Sequence, residues 1–298
     1  VHPIPPADAE GFTETTPLPL YWRADGPRGA SPLLLLHGGP GAHHDYLYPQ
    51  MLALAARHRL VTYDQRGGGR SKTDDPTPIT WRTQVDDLAR VAVELGARPR
   101  TLVGYSWGAL LALLYTIEAA RAAPSAELTV PTRLVLISPA PASRAWRAEF
   151  DAAFSARQQG EAIQRLRAEL AASGLRDRDP AAWRQRSFEL SVAGYFADPG
   201  KAADLTPFRV TGRVQQSIWE SLGDFDLREA LVGLRRAVHL PAIVVHGRQD
   251  PIPLASAAAI ADALEAEFVA LADCGHVPYV EQPTALFSAI DEFLVRAT

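Results

Sequence analysis

The sequence predicts an α/β fold, with a mostly parallel central sheet, helices on both of its faces and a helical cap insertion. Three observations carry this. Short apolar runs of strand length alternate with longer helix-like stretches, the pattern of parallel strands joined by helical crossovers. The alternation stops between residues 142 and 236, where apolar residues fall at helical spacing, as in FSARQQGEAIQRLRAEL. The 298 residues, 47% hydrophobic and 21% charged, are enough for one packed core carrying an insertion.

Taken in order, residues 11–23 are expected to supply one or two leading antiparallel strands. Strands follow at 33–36, 60–63, 101–103, 134–137, 242–246 and 268–271, each a short run rich in Leu, Val or Ile. Helices are expected at 46–56, 81–95, 109–120, 254–264 and 284–295. The insertion leaves after VLISPAPAS and returns before LPAIVVHG, so the core is assigned to 1–141 and 237–298 and the cap to 142–236. An insertion at that point stands over the carboxyl ends of the strands, where open α/β sheets place their ligands.

Several function classes are disfavoured. Thirty basic residues against 34 acidic ones, with the arginines mostly isolated, provide no stripe for a phosphate backbone, so nucleic acid is not an expected partner. The single cysteine, Cys274, cannot form an intramolecular disulfide, and no Cys/His cluster has zinc spacing; neither metal nor organic cofactor is implied. Apolar runs such as LLLL at 33–36 fall far short of the about 20 residues that span a bilayer, and no basic amphipathic stretch suggests a membrane surface. The opening VHPIPPADAEG lacks the charged and apolar regions of a secretory signal, so a cytoplasmic location is the default expectation.

The segment GYSWG at 104–108 follows the strand TLV and opens the apolar helix ALLALLY, the context in which G-x-S-x-G places a serine on a sharp strand-to-helix turn. Ser106 is therefore the expected nucleophile, with its hydroxyl near a helix N-terminus that favours developing negative charge. A serine hydroxyl needs a base. His276, in the turn DCGHVPYVEQP after the last strand, is the expected one, whereas His246 lies inside a strand and reads as buried structure. His2, His43, His44, His58 and His239 have no comparable place. Asp250, in the loop of VVHGRQDPIP, is the acid expected to orient the imidazole. The chain order Ser, Asp, His is that of the α/β-hydrolase fold.

An oxyanion needs two preorganised donors. The backbone N–H of Trp107 is expected to be one, and that of Gly39 in HGGPG, after the strand at 33–36, the other. DQRGGGRS at 64–71 has no Lys-Ser/Thr after its glycines, so it is read as scaffold for the HGGPG loop, with Asp64 and Arg66 as structural residues. Cys274 is read as a buried thiol flanking the site.

Together HGGPG, DQRGGGRS, GYSWGALLAL, GRQDPIP and CGHVPYVEQP resemble the proline iminopeptidase (prolyl aminopeptidase) family of α/β-hydrolases, over about residues 30–137 and 240–298. The resemblance implies release of an unblocked N-terminal residue, often proline, from a peptide or amide through an acyl-enzyme, without metal or cofactor. It also implies cap carboxylates that hold the free amine. Glu189 in RSFELSVAGYF is the best match and Glu220 in SIWESLG the second. Tyr105, where such peptidases usually have glycine, is a further candidate for substrate contact. A carboxylesterase, lactonase or amidase for small acyl substrates uses the same groups, and a non-catalytic small-molecule receptor on this fold is the reading from another class. Haloalkane or epoxide chemistry would require an aspartate at position 106.

Overall fold

In the computed structural model, residues 3–96, 101–122 and 128–296 are described. Two strands, β1 (Ala9–Phe12) and β2 (Tyr21–Asp25), form the antiparallel edge of an eight-stranded sheet. The parallel part contains β3 (Pro32–Leu36), β4 (Arg59–Tyr63), β5 (Thr101–Tyr105), β6 (Arg133–Ile137), β7 (Ala242–Gly247) and β8 (Glu267–Leu271). The order across the sheet is β1-β2-β4-β3-β5-β6-β7-β8, with β2 antiparallel to both neighbours and every pair from β4 onward parallel.

Both faces of the central strands are buried, which is why these strands read as unbroken apolar runs. The two-residue period still sorts side chains by face. Leu34 and Leu36 of β3 and Leu134 and Leu136 of β6 pack beneath α1 (Trp81–Glu94) and α2 (Trp107–Arg121). Leu33, Leu35, Val135 and Ile137 face the opposite layer. Helix α2 is buried nearly all round, as expected for a helix lying across the middle of the sheet under neighbours on both sides. Thr80 caps α1 reciprocally with Thr83: each side-chain oxygen accepts the other residue's backbone N–H, at 3.2 and 3.3 Å.

Between β6 and β7 the chain is helical: α3 (Arg144–Gln158), α4 (Glu161–Ala172), α5 (Leu175–Arg178), α6 (Pro180–Val192), α7 (Gly212–Leu222) and α8 (Arg228–Ala237). Ser143 caps α3 through Trp146 N–H, and Asp179 caps α6 with Pro180 at its first position. Thr211 N–H donates to Gly41 O (2.9 Å) and His276 N–H to Tyr195 O (2.7 Å), so this segment is tied to the loops after β3 and β8. Helix α8 packs against α2 and α9 (Leu254–Leu264) through Leu231 and Leu234, and so belongs to the layer covering the sheet, while α7 reaches the same core beside α1 through Val214 and Ile218. Helices α10 (Pro278–Glu281) and α11 (Pro283–Arg296) complete the other face.

The helix expected at 46–56 is two 3-10 segments instead, His44–Leu47 and Gln50–Ala56. Pro49 lies between them. It has no N–H to continue a helix, and its ring pushes Tyr48 to extended backbone (φ −105°, ψ 149°). Among the described residues no helix is long and apolar enough to cross a membrane.

Candidate active site

At the end of β5 the chain turns so sharply that Ser106 adopts φ 53°, ψ −118°. For a non-glycine residue such backbone costs about 1–3 kcal/mol and persists only where its surroundings fix it. Here Ser106 N–H donates to Ile137 O at 2.9 Å, and Ser106 O accepts from Ala109, Leu110 and Ala140 at 3.0–3.2 Å. The flanking glycines make the turn possible. A Cβ on Gly104 would lie 2.4 Å from Ala109 Cα, and one on Gly108 2.1 Å from Leu36 O. Ser106 thus sits at the carboxyl edge of the sheet, at the N-terminus of α2.

His276 and Asp250 reach it from the next loops. Gly247 ends β7, and a side chain there would meet Gly275 O at 2.1 Å, so the β7 and β8 loops can touch. Gln249 clamps them: its N–H donates to Cys274 O (2.9 Å) and its side-chain oxygen accepts Cys274 N–H (3.0 Å). The result is a hydrogen-bonded chain. Ser106 Oγ lies 2.9 Å from His276 Nε2, and His276 Nδ1 lies 2.8 Å from Asp250 Oδ2. Asp250 Oδ1 accepts Ile252 N–H at 2.7 Å. Burial alone would raise the Asp250 pKa, but the imidazoles of His276 and His246 and the hydrogen bonds hold it below its ordinary value. An ionised Asp250 fixes the proton of His276 on Nδ1 and leaves Nε2 free to accept the serine proton.

His246, expected as buried structure, is fully buried, with Nε2–H donating to Ile252 O at 3.1 Å and lying 3.6 Å from Asp250 Oδ2. Tyr105 is also buried. Its hydroxyl donates to His276 O (3.1 Å), so it lies beneath the histidine as a support and not as a group presented to a ligand. The His276 ring has Tyr105 5.3 Å away and Tyr195 5.2 Å away, and Phe154 packs on Tyr195 at 4.4 Å.

The HGGPG loop comes close to Ser106. A Cβ on Gly38 would lie 2.8 Å from Ser106 Cβ and 2.9 Å from Tyr105 O, so only glycine permits the approach. Gly39 follows in left-handed backbone, φ 56°. Trp107 is the first residue of α2, where a backbone N–H has no acceptor within its helix. Gln65 holds the three segments together: its side chain accepts from Trp107 Nε1 (2.8 Å) and donates to His37 O (2.8 Å), and its N–H donates to His37 Nε2 (3.0 Å). Asp64 accepts from His44 Nδ1 and from the backbone of His44 and Arg70. Arg66 forms a two-pronged pair with Asp87 at 2.8 and 2.5 Å. DQRGGGRS is therefore built into the support of the HGGPG loop.

His37 carries a testable consequence. Its Nδ1–H donates to Gly38 O (2.9 Å), and burial lowers its pKa to about 4. The unfolded chain protonates this imidazole near pH 6.5. Between those values the unfolded state holds more protons, so stability falls as pH drops through the window, by about 3 kcal/mol in full for this group. The melting temperature should fall steadily from pH 7 to pH 4.5. A flat profile would show that His37 titrates normally in the folded protein.

Sequence reasoning missed Glu281. Its two carboxylate oxygens accept from Ala197 N–H (2.8 Å) in the helical insertion and from Gly275 N–H (2.7 Å) beside His276. It lies five residues beyond His276, and only its spacing within CGHVPYVE could have flagged it. Glu281→Gln would place an amide N–H against one backbone N–H. We expect kcat to fall on the order of 10- to 100-fold through misplacement of the imidazole. An unaltered kcat in a folded but less stable variant would leave Glu281 a purely structural part.

Each of the two cap carboxylates is engaged by side chains of its own helix. Glu189 is buried on α6 and accepts from Gln185 Nε2 (3.0 Å) and Arg186 Nη1. Glu220 is exposed on α7, accepts from Gln216 Nε2 (2.7 Å) and lines a groove with Asp75–Ile79. Cys274 is fully buried, and burial raises the pKa of its thiol.

Fold and site together have the form of a hydrolase: a nucleophile at a strand-to-helix turn, an imidazole and a carboxylate in line, and a glycine loop alongside. The comparisons agree, for residues 33–290 match the model of the Alpha/beta hydrolase family, and the chain belongs to that family. It is 26% identical over 276 residues to a proline iminopeptidase of Lactobacillus delbrueckii subsp. bulgaricus, covering 89% of this chain and 90% of that protein. A solved proline iminopeptidase of Mycobacterium smegmatis superposes with a TM-score of 0.67 at 19% identity, covering 97% of this chain and 98% of the other. The enol-lactonase of Burkholderia xenovorans LB400 superposes with 0.64 at 20% identity, over 96% and 100%. At those identities the two structures establish the shared fold alone.

Proposed function

We propose that the protein is a serine hydrolase that releases an unblocked N-terminal residue, proline or another small apolar one, from peptides or amides. The observation that carries the reading is the Ser106–His276–Asp250 chain, at 2.9 and 2.8 Å, on a strained turn. Ser106 Oγ attacks the substrate carbonyl while His276 Nε2 takes its proton, with Asp250 stabilising the imidazolium. Trp107 N–H and Gly39 N–H receive the oxyanion. The C–N bond then breaks as His276 returns the proton to the leaving amine, and water resolves the acyl-enzyme by the same steps in reverse. The cap over this site is the part of residues 142–236 that precedes α8, its helices shape the acyl pocket, and the protein works in the cytoplasm.

The aminopeptidase part rests on the sequence motifs and on the relatives named proline iminopeptidase. One observation favours a second reading, an esterase or lactonase: the carboxylates of Glu189 and Glu220 are engaged by neighbouring side chains and do not stand free for an amine. The test is hydrolysis of proline β-naphthylamide, its N-acetylated form and p-nitrophenyl acetate. Cleavage confined to the free amine supports the aminopeptidase. Ester turnover without an amine requirement moves the function to the second reading.

A further inference from the structure

Tyr46 stands in the 3-10 segment His44–Leu47, on the stretch of chain that continues from the HGGPG loop. Asp64 pins the start of that segment, accepting from His44 N–H (3.0 Å) and His44 Nδ1 (2.6 Å). The Tyr46 ring packs on Phe208 at 4.4 Å and lies 6.1 Å from Tyr105, the residue before the nucleophile. It is 3% exposed, so the surrounding side chains hold it in one place.

Its hydroxyl reaches the reacting centre. A Cβ on Gly38 would lie 2.9 Å from Tyr46 Oη and 2.8 Å from Ser106 Cβ, so the phenol oxygen and the nucleophile converge on one atom-sized space. The Gly39 N–H, one residue on, borders the same space. Burial raises the Tyr46 pKa, so the group is a neutral O–H donor. Among the described residues no group accepts its proton, and its oxygen is not sealed in the core as the unpartnered hydroxyls of Tyr63 and Tyr279 are. A buried hydroxyl without an acceptor is unfavourable at rest and is satisfied by negative charge that develops beside it.

We propose that Tyr46 is a catalytic residue: its hydroxyl donates a hydrogen bond to the oxyanion formed at Ser106, alongside Trp107 N–H and Gly39 N–H. The inference rests on Ser106 being the acylated serine. It applies equally to a peptide, an amide or an ester, since each passes through the same tetrahedral oxyanion. The phenol keeps its proton throughout. Because the bond strengthens as the carbonyl oxygen gains charge, its loss falls on kcat and leaves KM unchanged.

The experiment uses Tyr46→Phe, which keeps the ring between Phe208 and Tyr105. Its control is Tyr63→Phe, which removes a buried hydroxyl on the other face of the sheet. Three quantities are read. They are kcat and KM on whichever of proline β-naphthylamide and p-nitrophenyl acetate is cleaved, the affinity for 2,2,2-trifluoroacetophenone, whose hemiketal with Ser106 carries the oxyanion, and the rate of fluorophosphonate labelling. Tyr46→Phe should lower kcat on the order of 100-fold at unchanged KM, weaken the ketone by a similar factor and slow labelling. Tyr63→Phe should match the native protein in all three. An unchanged kcat, or a loss carried by KM alone, overturns the proposal. The crystal structure of the native ketone adduct decides independently of how Tyr46→Phe folds: Tyr46 Oη within about 3.2 Å of the hemiketal oxygen supports the proposal, and a separation beyond about 4 Å overturns it. Failure of the aminopeptidase reading shows separately, as ester turnover with no amine requirement, and leaves these criteria in place. No labelling of the native protein removes Ser106 as the reacting centre, and the proposal with it.

Discussion

Ser106→Ala is expected to lower kcat by about five to six orders of magnitude on whichever acyl substrate the native protein cleaves. It should also abolish labelling by a fluorophosphonate probe. The hydroxyl is the sole group on the turn that can form the acyl bond, and its removal leaves only the oxyanion donors and binding, worth roughly 10³–10⁴ over water. The fold should survive, because the bonds fixing the turn are made by the backbone of residue 106, with Ile137, Ala109, Leu110 and Ala140. Alanine inherits the same φ of 53°, so the strain is retained and the melting temperature should move little. Undiminished labelling of the variant would place the nucleophile elsewhere.

Gly108→Ala is expected to have the largest effect on stability. The added methyl would lie 2.1 Å from Leu36 O, 2.6 Å from Leu36 C and 2.7 Å from His37 O. These are backbone atoms at the end of β3, a strand paired on both sides, so no side-chain rotation relieves the clash. Either α2 lifts from the sheet or β3 shifts, and both disturb a core in which α2 is buried nearly all round. Overpacking of this kind costs about 3 kcal/mol or more, which for a chain of this size lowers the melting temperature by roughly 5–10 °C. Activity should fall too, because the displaced atoms begin the HGGPG loop. Native-like melting and turnover in Gly108→Ala would mean that the helix and strand are less closely apposed.

The same glycines explain why so much was legible in the sequence. The sharp turn from β5 into α2 demands Gly at 104, the close approach of α2 to β3 demands Gly at 108, and a serine between them is conspicuous. The parallel strands were legible because burial on both faces leaves continuous apolar runs. The break at Pro49 was legible too, but the apolar spacing through 46–56 spoke more strongly than one proline. What the sequence could not reveal is which surface an amphipathic helix meets: α8 has the same pattern as the insertion's other helices, yet it packs on α2 and α9. Glu189 and Glu220 were singled out by type and approximate place, and a carboxylate's partners are set by neighbours in space. Gln65, Gln249 and Glu281 escaped for the converse reason, since their bonds run to backbone groups that leave no mark in a sequence.

The link through Glu281 bears on how the molecule opens. Ala197 N–H and Gly275 N–H share one carboxylate, and the adjacent His276 N–H is held by Tyr195 O. Any excursion that lifts residues 195–197 away from the sheet must release the Ala197 and His276 amides together, while Gly275 N–H keeps its bond to Glu281. In native-state hydrogen exchange the Ala197 and His276 amides therefore open together with one free energy, and Gly275 opens separately. Each such event removes the tie at the His276 N–H while Asp250 and the Tyr105 hydroxyl still hold the residue, so opening at this edge loosens the catalytic base without releasing it.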